Sequence, residues 1–129
     1  MAQKKQPFTI ERTFRSSPVI LYDFLTSPSG LIQWFSDTCD LNDDIYTFGW
    51  KGGDDQEAEV LSSEEGESIR LRWEDEEDDK AYFEYDIKKN EITGDTILYV
   101  TDFAYRNEIN ESISLWESQL DDLRKCIGG

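Results

Sequence analysis

A chain of 129 residues with 13 Lys and Arg against 29 Asp and Glu carries a formal charge of −16. A field of that sign repels phosphate backbones and anionic bilayers, so neither nucleic-acid binding nor membrane docking is expected. The chain contains no His, which removes Ser-His-Asp and Cys-His nucleophiles, imidazole proton transfer and His-based metal sites together.

Two Cys, Cys39 and Cys126, stand far apart in the sequence, as expected of free thiols in a reducing cytoplasm; no metal site and no cofactor are expected from them. Residues 1–6 include two Lys but no apolar run follows, so no signal peptide is expected, and no stretch reaches membrane-spanning length. The length suits one domain over residues 1–129. Four Trp, six Tyr and seven Phe supply either a well-packed small core or an aromatic-lined pocket.

The first element is a strand over residues 8–15, with Phe8, Ile10 and Phe14 on one face and Arg12 interrupting that face. Ser17 followed by Pro18 predicts a helix start, and Val19, Leu21, Tyr22, Phe24 and Leu25 fill a short helix. Ser27-Pro28 ends it and opens a second short helix through Leu31, Ile32, Trp34 and Phe35. Leu41 lies in a polar stretch with no assigned element. Tyr46, Phe48 and Trp50 then alternate in a strand over residues 45–51, and Gly52-Gly53 turns the chain.

Further strands follow at residues 56–62, with Ala58, Val60 and Leu61, and at 68–73, where Ile69, Leu71 and Trp73 oppose Arg70 and Arg72. Six consecutive acids, Glu74 to Asp79, read as a solvated hairpin loop; they lack the Asp-x-Asp-x-Asp-Gly spacing of a calcium loop. Residues 81–87 place Phe83, Tyr85 and Ile87 together, Asn90 to Gly94 turns, and residues 96–103 make the last strand.

From Arg106 to Ile127 the apolar positions Ile109, Ile113, Trp116, Leu120, Leu123 and Ile127 recur at spacings of four and three. That is one continuous stripe on one long helix, with Asn107 as its expected cap, Glu108 and Glu111 in its first turn, and Gly128-Gly129 as its stop. Residues 106–126, twenty-one residues of helix, span about 31 Å, enough to cross a sheet. The stripe needs an apolar surface, and the upstream strands supply one. A sheet curled around one helix leaves room for a cavity between them.

The order of strand, two short helices, antiparallel strands and one long helix resembles the helix-grip fold of the START-like superfamily. Local residues carry the likeness: Pro18 to Pro28 leading into Leu31-Ile32-Gln33-Trp34-Phe35, Phe48-Gly49-Trp50, the Arg70-Leu71-Arg72-Trp73 strand, the Phe103 strand end, and Trp116 with Leu120 and Leu123. The set is most similar to the branch named after the C-terminal domain of the activator of the ninety-kilodalton heat-shock protein ATPase, over about Phe8 to Ile127. The resemblance implies an α+β fold, with a curved antiparallel sheet of about six or seven strands around the C-terminal helix.

Three functions remain open. The first is a non-catalytic module that holds a small apolar or amphipathic ligand, lipid-like, isoprenoid or aromatic, between sheet and helix. The second is a protein-interaction module, co-chaperone-like or regulatory, whose acidic surface steers a basic partner. The third is a cyclase- or hydrolase-type enzyme working without His. Trp34, Trp50, Trp73, Tyr85, Tyr99, Phe103, Ile113, Trp116 and Leu120 are the candidate cavity walls. Arg12, polar on an apolar face, either pairs with a carboxylate or meets an anionic head group inside the cavity. No catalytic residues are assigned.

Overall fold

A computed structural model describes residues 4–128. The elements are β1 (Gln6–Phe14), α1 (Pro18–Thr26), α2 (Pro28–Leu31), β2 (Thr38–Asn42), β3 (Ile45–Gly49), β4 (Gln56–Glu64), β5 (Ser68–Trp73), β6 (Phe83–Lys89), β7 (Thr96–Ala104) and α3 (Ile109–Ile127). The seven strands form one open antiparallel sheet in the order β1-β7-β6-β5-β4-β3-β2. The helices α1 and α2 carry the chain from one edge of the sheet to the other. From β2 it meanders back, strand by strand, until β7 pairs with β1 from Gln6↔Ala104 to Phe14↔Thr96.

The two short helices form where the serines allow. The Ser17 hydroxyl accepts the Ile20 N–H at 3.3 Å and the Ser27 hydroxyl accepts the Gly30 N–H at 3.0 Å. The Ser27 N–H also closes α1 on the Asp23 carbonyl at 2.9 Å. Ser27 thus ends one helix and starts the next, with Pro28 following in a position that needs no N–H. α2 stops at Leu31, so Trp34 and Phe35 sit in the turns after it rather than in the longer helix expected.

Alternation then fills the concave face. Ile10 and Phe14, Tyr46 and Phe48, Ile69 and Leu71, Phe83, Tyr85 and Ile87, and Leu98 and Val100 are all buried there, and α3 closes it with Trp116, Leu120 and Leu123. Fully burying each such side chain stabilises the fold by about 1.5–3 kcal/mol. A register shift between Val60 and Ser62 bulges β4 and leaves Leu61 exposed.

Three local expectations need correction. Leu41, left without an element, lies in β2 paired with Tyr46. Asn107 does not cap α3: a 3-10 turn over Arg106–Glu108 precedes the helix, its Glu108 N–H bonded to the Tyr105 carbonyl at 2.7 Å. The acidic loop is not wholly solvated, because Glu76 receives the Lys5 ammonium at 2.8 Å with only 9 % of its side chain exposed. The stop at Gly128 adopts φ 86° and donates its N–H to the Arg124 carbonyl at 3.0 Å; Gly129 lies outside the described residues. Among the described residues no helix is long and apolar enough to cross a membrane.

Candidate functional site

Where the first turns of α3 leave the sheet, a cleft of about 400 Å³ opens. Its walls come from the turn after α2 (Phe35), the end of β3 (Trp50), the start of β4 (Gln56), the ends of β5 and β7 (Trp73, Asp102), and Ser112, Leu115, Trp116 and Gln119 of α3. In an antiparallel sheet the last residues of β3, β5 and β7 and the first of β4 lie at the same end of the strands, which is why four strands meet here. Deeper in the grip Phe14, Phe48, Phe83, Leu98, Leu120 and Leu123 are sealed from solvent.

The aromatic walls interlock. Phe35 lies near-parallel to Trp73 (16°) and to Trp116 (21°), at 6.4 Å from each, and edge-on to Trp50 at 5.7 Å. Two indoles are pinned by hydrogen bonds: Trp50 donates to the Phe35 carbonyl at 2.9 Å, and Trp116 donates to Asp102 Oδ2 at 2.8 Å. Such walls resist collapse, so the space between them persists.

Asp102 is the cleft's one charged side chain. Its Oδ1 accepts the Phe103 N–H at 2.7 Å. Burial pushes its carboxyl above the usual value, against the pull of those two N–H donors. Behind it Tyr85 is buried, and burial together with the Asp102 charge drives its phenol well above the ordinary range.

Of the residues expected as walls, Trp50, Trp73 and Trp116 line this cleft. Trp34 is buried beneath it, its indole donating to the Phe24 carbonyl at 2.8 Å, and it lines a neighbouring, more polar groove with Cys126. Tyr85 and Leu120 are sealed in the core, and Ile113 packs against that core.

Tyr99 and Phe103 require correction, for they stand on the convex face. Leu98, Val100 and Asp102 point inward, so Tyr99 points outward beside its register partners Glu11 and Asp86. Phe103 packs edge-on to Tyr82 at 4.9 Å, and Tyr82 in turn carries the Arg70 guanidinium at 3.9 Å. Arg12 reaches the flank of α3, where Asp121 accepts at 2.6 Å and the Glu117 carbonyl at 3.4 Å; it is not part of the cleft.

Sequence reasoning missed Phe35, Gln56, Asp102, Ser112, Leu115 and Gln119 as walls. Asp102 follows Leu98 and Val100 at period two, but Ile97 and Tyr99 mark the other face equally, so the pattern alone does not place it. Among the described residues no group of three or more His, Cys, Asp or Glu is disposed to hold a metal ion.

A family model described as the START-like superfamily domain matches residues 1–129. The solution structure of the protein BfR322 from Bacteroides fragilis is 33% identical, covering 95% of this chain and 91% of that one, with a TM-score of 0.69. The Aha1 dimer from Colwellia psychrerythraea is 14% identical with a TM-score of 0.80, covering 95% and 96%. The crystal structure of MLL2253 from Mesorhizobium loti is 16% identical with a TM-score of 0.76, covering 93% and 95%. The last two likenesses are of fold alone. No curated protein matches the chain.

Proposed function

The chain belongs to the START-like superfamily, and from that premise we propose that it is a non-catalytic binding module whose cleft at the open end of the grip holds a small apolar or amphipathic molecule. The superfamily's fold commonly binds hydrophobic ligands. The observation that carries the proposal is the cleft itself: about 400 Å³ walled by Phe35, Trp50, Trp73, Leu115 and Trp116. That volume falls within the usual range for small-molecule sites, about 300–1,000 Å³, and the mix of apolar walls with a few polar groups is the usual composition.

Size narrows the ligand. An apolar cavity of about 150 Å³ suffices for a benzene-sized ring, so this cleft suits a compact body of one to three rings or a short branched chain. A long acyl chain would have to displace the sealed core formed by Phe14, Phe83, Leu98 and Leu120. Leu115, 61% exposed, forms the lip and supports no core packing. No catalytic residue is assigned.

Calorimetric titration with a neutral naphthalene probe, 1-naphthylmethanol, tests the proposal. Saturable one-to-one binding is expected, abolished by Leu115→Lys with an unchanged thermal melt. Failure of the wild type to bind this probe and a varied panel of ring compounds overturns it, as does undiminished binding by Leu115→Lys.

A further inference from the structure

We infer that the cleft is selective for organic cations: a protonated amine or quaternary ammonium on a compact apolar body, with Asp102 as its counter-ion and the indoles of Trp50, Trp73 and Trp116 as its walls. The inference rests on the reading of the cleft as a small-molecule site and adds the charge of what enters it.

Charge within the cleft has one sign. Asp102 is the single ionisable side chain among the lining residues; Gln56, Ser112 and Gln119 are neutral, and no Lys or Arg lines the space. Each Asp102 oxygen accepts one hydrogen bond, from Phe103 and from Trp116. A carboxylate offers about four acceptor positions, so each oxygen keeps capacity for a further donor.

The charged groups around Asp102 do not neutralise it. Lys5, just ahead of β1, is near enough to act on Asp102 electrostatically, but its ammonium is engaged by both oxygens of Glu76 at 2.8 and 2.9 Å. Lys5 also lies over the Tyr105 ring at 5.4 Å. Glu76, from the β5–β6 loop, adds a second carboxylate to the neighbourhood, and Tyr85, from β6, presents a neutral phenol. Two carboxylates against one ammonium leave one negative charge unmatched, and Asp102 is the one that faces the cleft.

The walls favour the same sign. Aromatic faces carry negative potential and attract cations, with Trp the strongest, and cages of such rings are a general solution for ammonium recognition. Here Phe35 and three Trp line the same cleft as the carboxylate. A neutral Asn could accept from the Trp116 indole without the desolvation penalty of a carboxylate, but it would give up the Phe103 N–H; the carboxylate meets both donors and adds a full negative charge that a ligand cation would use. An anionic head group would instead meet Asp102 at close quarters in a partly desolvated site.

The test uses three probes that share one ring system: 1-naphthylmethylamine, protonated at pH 7, 1-naphthylmethanol and 1-naphthoate. Titrations run in about 0.5 M sodium chloride, where the Debye length is about 4 Å and the field of the −16 surface is screened. The amine should bind at least about tenfold more tightly than the alcohol, and the naphthoate more weakly than either. Asp102→Asn, which keeps an acceptor for Trp116, should remove the amine's advantage and bring the amine-to-alcohol affinity ratio close to one.

Equal binding of amine and alcohol by the wild type overturns cation selectivity but leaves the binding module standing. Persistence of the amine preference in Asp102→Asn overturns the assignment of Asp102. Binding of none of the three removes both proposals. The wild-type comparison stands by itself even if the variant fails to fold.

Discussion

The indole N–H of Trp116 donates to the Asp102 carboxylate at 2.8 Å, tying α3 to the end of β7 at the mouth of the cleft. Trp116 is 7% exposed and packs edge-on to Tyr85 at 5.9 Å. Trp116→Ala removes both the ring and the tie and should cost about 3–5 kcal/mol in urea unfolding. Trp116→Phe keeps most of the packing but leaves Asp102 Oδ2 without its donor, and should cost about 1–3 kcal/mol. A loss below about 1 kcal/mol for Trp116→Ala would mean that the helix is not held at this point.

Gly30 sits where α2 folds back on the end of α1. A Cβ there would lie 2.7 Å from the Phe24 Cα and 2.9 Å from the Asp23 carbonyl oxygen. Both are backbone atoms and cannot rotate away. Gly30→Ala should therefore destabilise by about 1–3 kcal/mol, the usual range for overpacking, despite the better helix propensity of Ala. Because α2 leads directly into Trp34 and Phe35, the same substitution should weaken naphthylmethanol binding at the cleft. An unchanged unfolding midpoint would show that the α1–α2 junction can open without penalty.

The sequence made the architecture legible because two periods were clean. Period-two alternation in Tyr46-Phe48, Ile69-Leu71-Trp73 and Phe83-Tyr85-Ile87, and four-three spacing from Ile109 to Ile127, each leave one apolar face. The family likeness supplied the order in which they assemble. The cleft was half legible, and β7 shows why. In Thr96–Ala104 both faces carry apolar residues, Ile97 and Tyr99 on one and Leu98 and Val100 on the other. Parity is therefore not fixed by hydrophobicity, and a shift of one residue exchanges the faces. Reading Asp102 as solvent-facing selects Tyr99 and Phe103 as walls; the structure takes the other parity and brings Asp102 inside. Phe35 escaped for a different reason. Its place in the cleft depends on α2 stopping at Leu31, a boundary fixed by packing rather than by a breaker residue.

The two thiols differ in environment, and alkylation should separate them. Cys126 is exposed near the end of α3, its Sγ 3.1 Å from the Gln33 carbonyl. Cys39 is half-buried in β2, and burial, with Asp40 adding to it, pushes its thiol up to about 11. Only the thiolate reacts, and at pH 8 a thiol of that acidity is ionised to about one part in a thousand. Iodoacetamide should therefore give one modified species, at Cys126, well before Cys39 reacts. Peptide mapping that finds Cys39 labelled at a comparable rate would show that β2, an edge strand, opens readily.

The Asp102 carboxyl is held above its ordinary value of 3.8, chiefly by burial. In the unfolded chain that burial is absent. Between the two values the folded state keeps the proton and the unfolded state has lost it, so stability falls as pH rises through this window. The contribution is fully present below about 3.8 and is gone above the folded value. Asp121 and Asp78 run the other way. The Arg12 hydrogen bond holds Asp121 low, and backbone N–H groups, that of Lys80 foremost, hold Asp78 low, so their contributions are lost on acidification. A raw stability curve therefore mixes opposing trends, whereas the difference between wild type and Asp102→Asn isolates one. Asparagine never ionises, and the hydrogen bond it forfeits at the Phe103 N–H is a penalty independent of pH. Measured by urea unfolding from about pH 3 to about pH 6, the variant should gain stability relative to wild type as pH rises. A flat difference would mean that Asp102 is as well solvated in the folded chain as in the unfolded one. A site so wet could not sustain the strong cation selectivity inferred for the cleft.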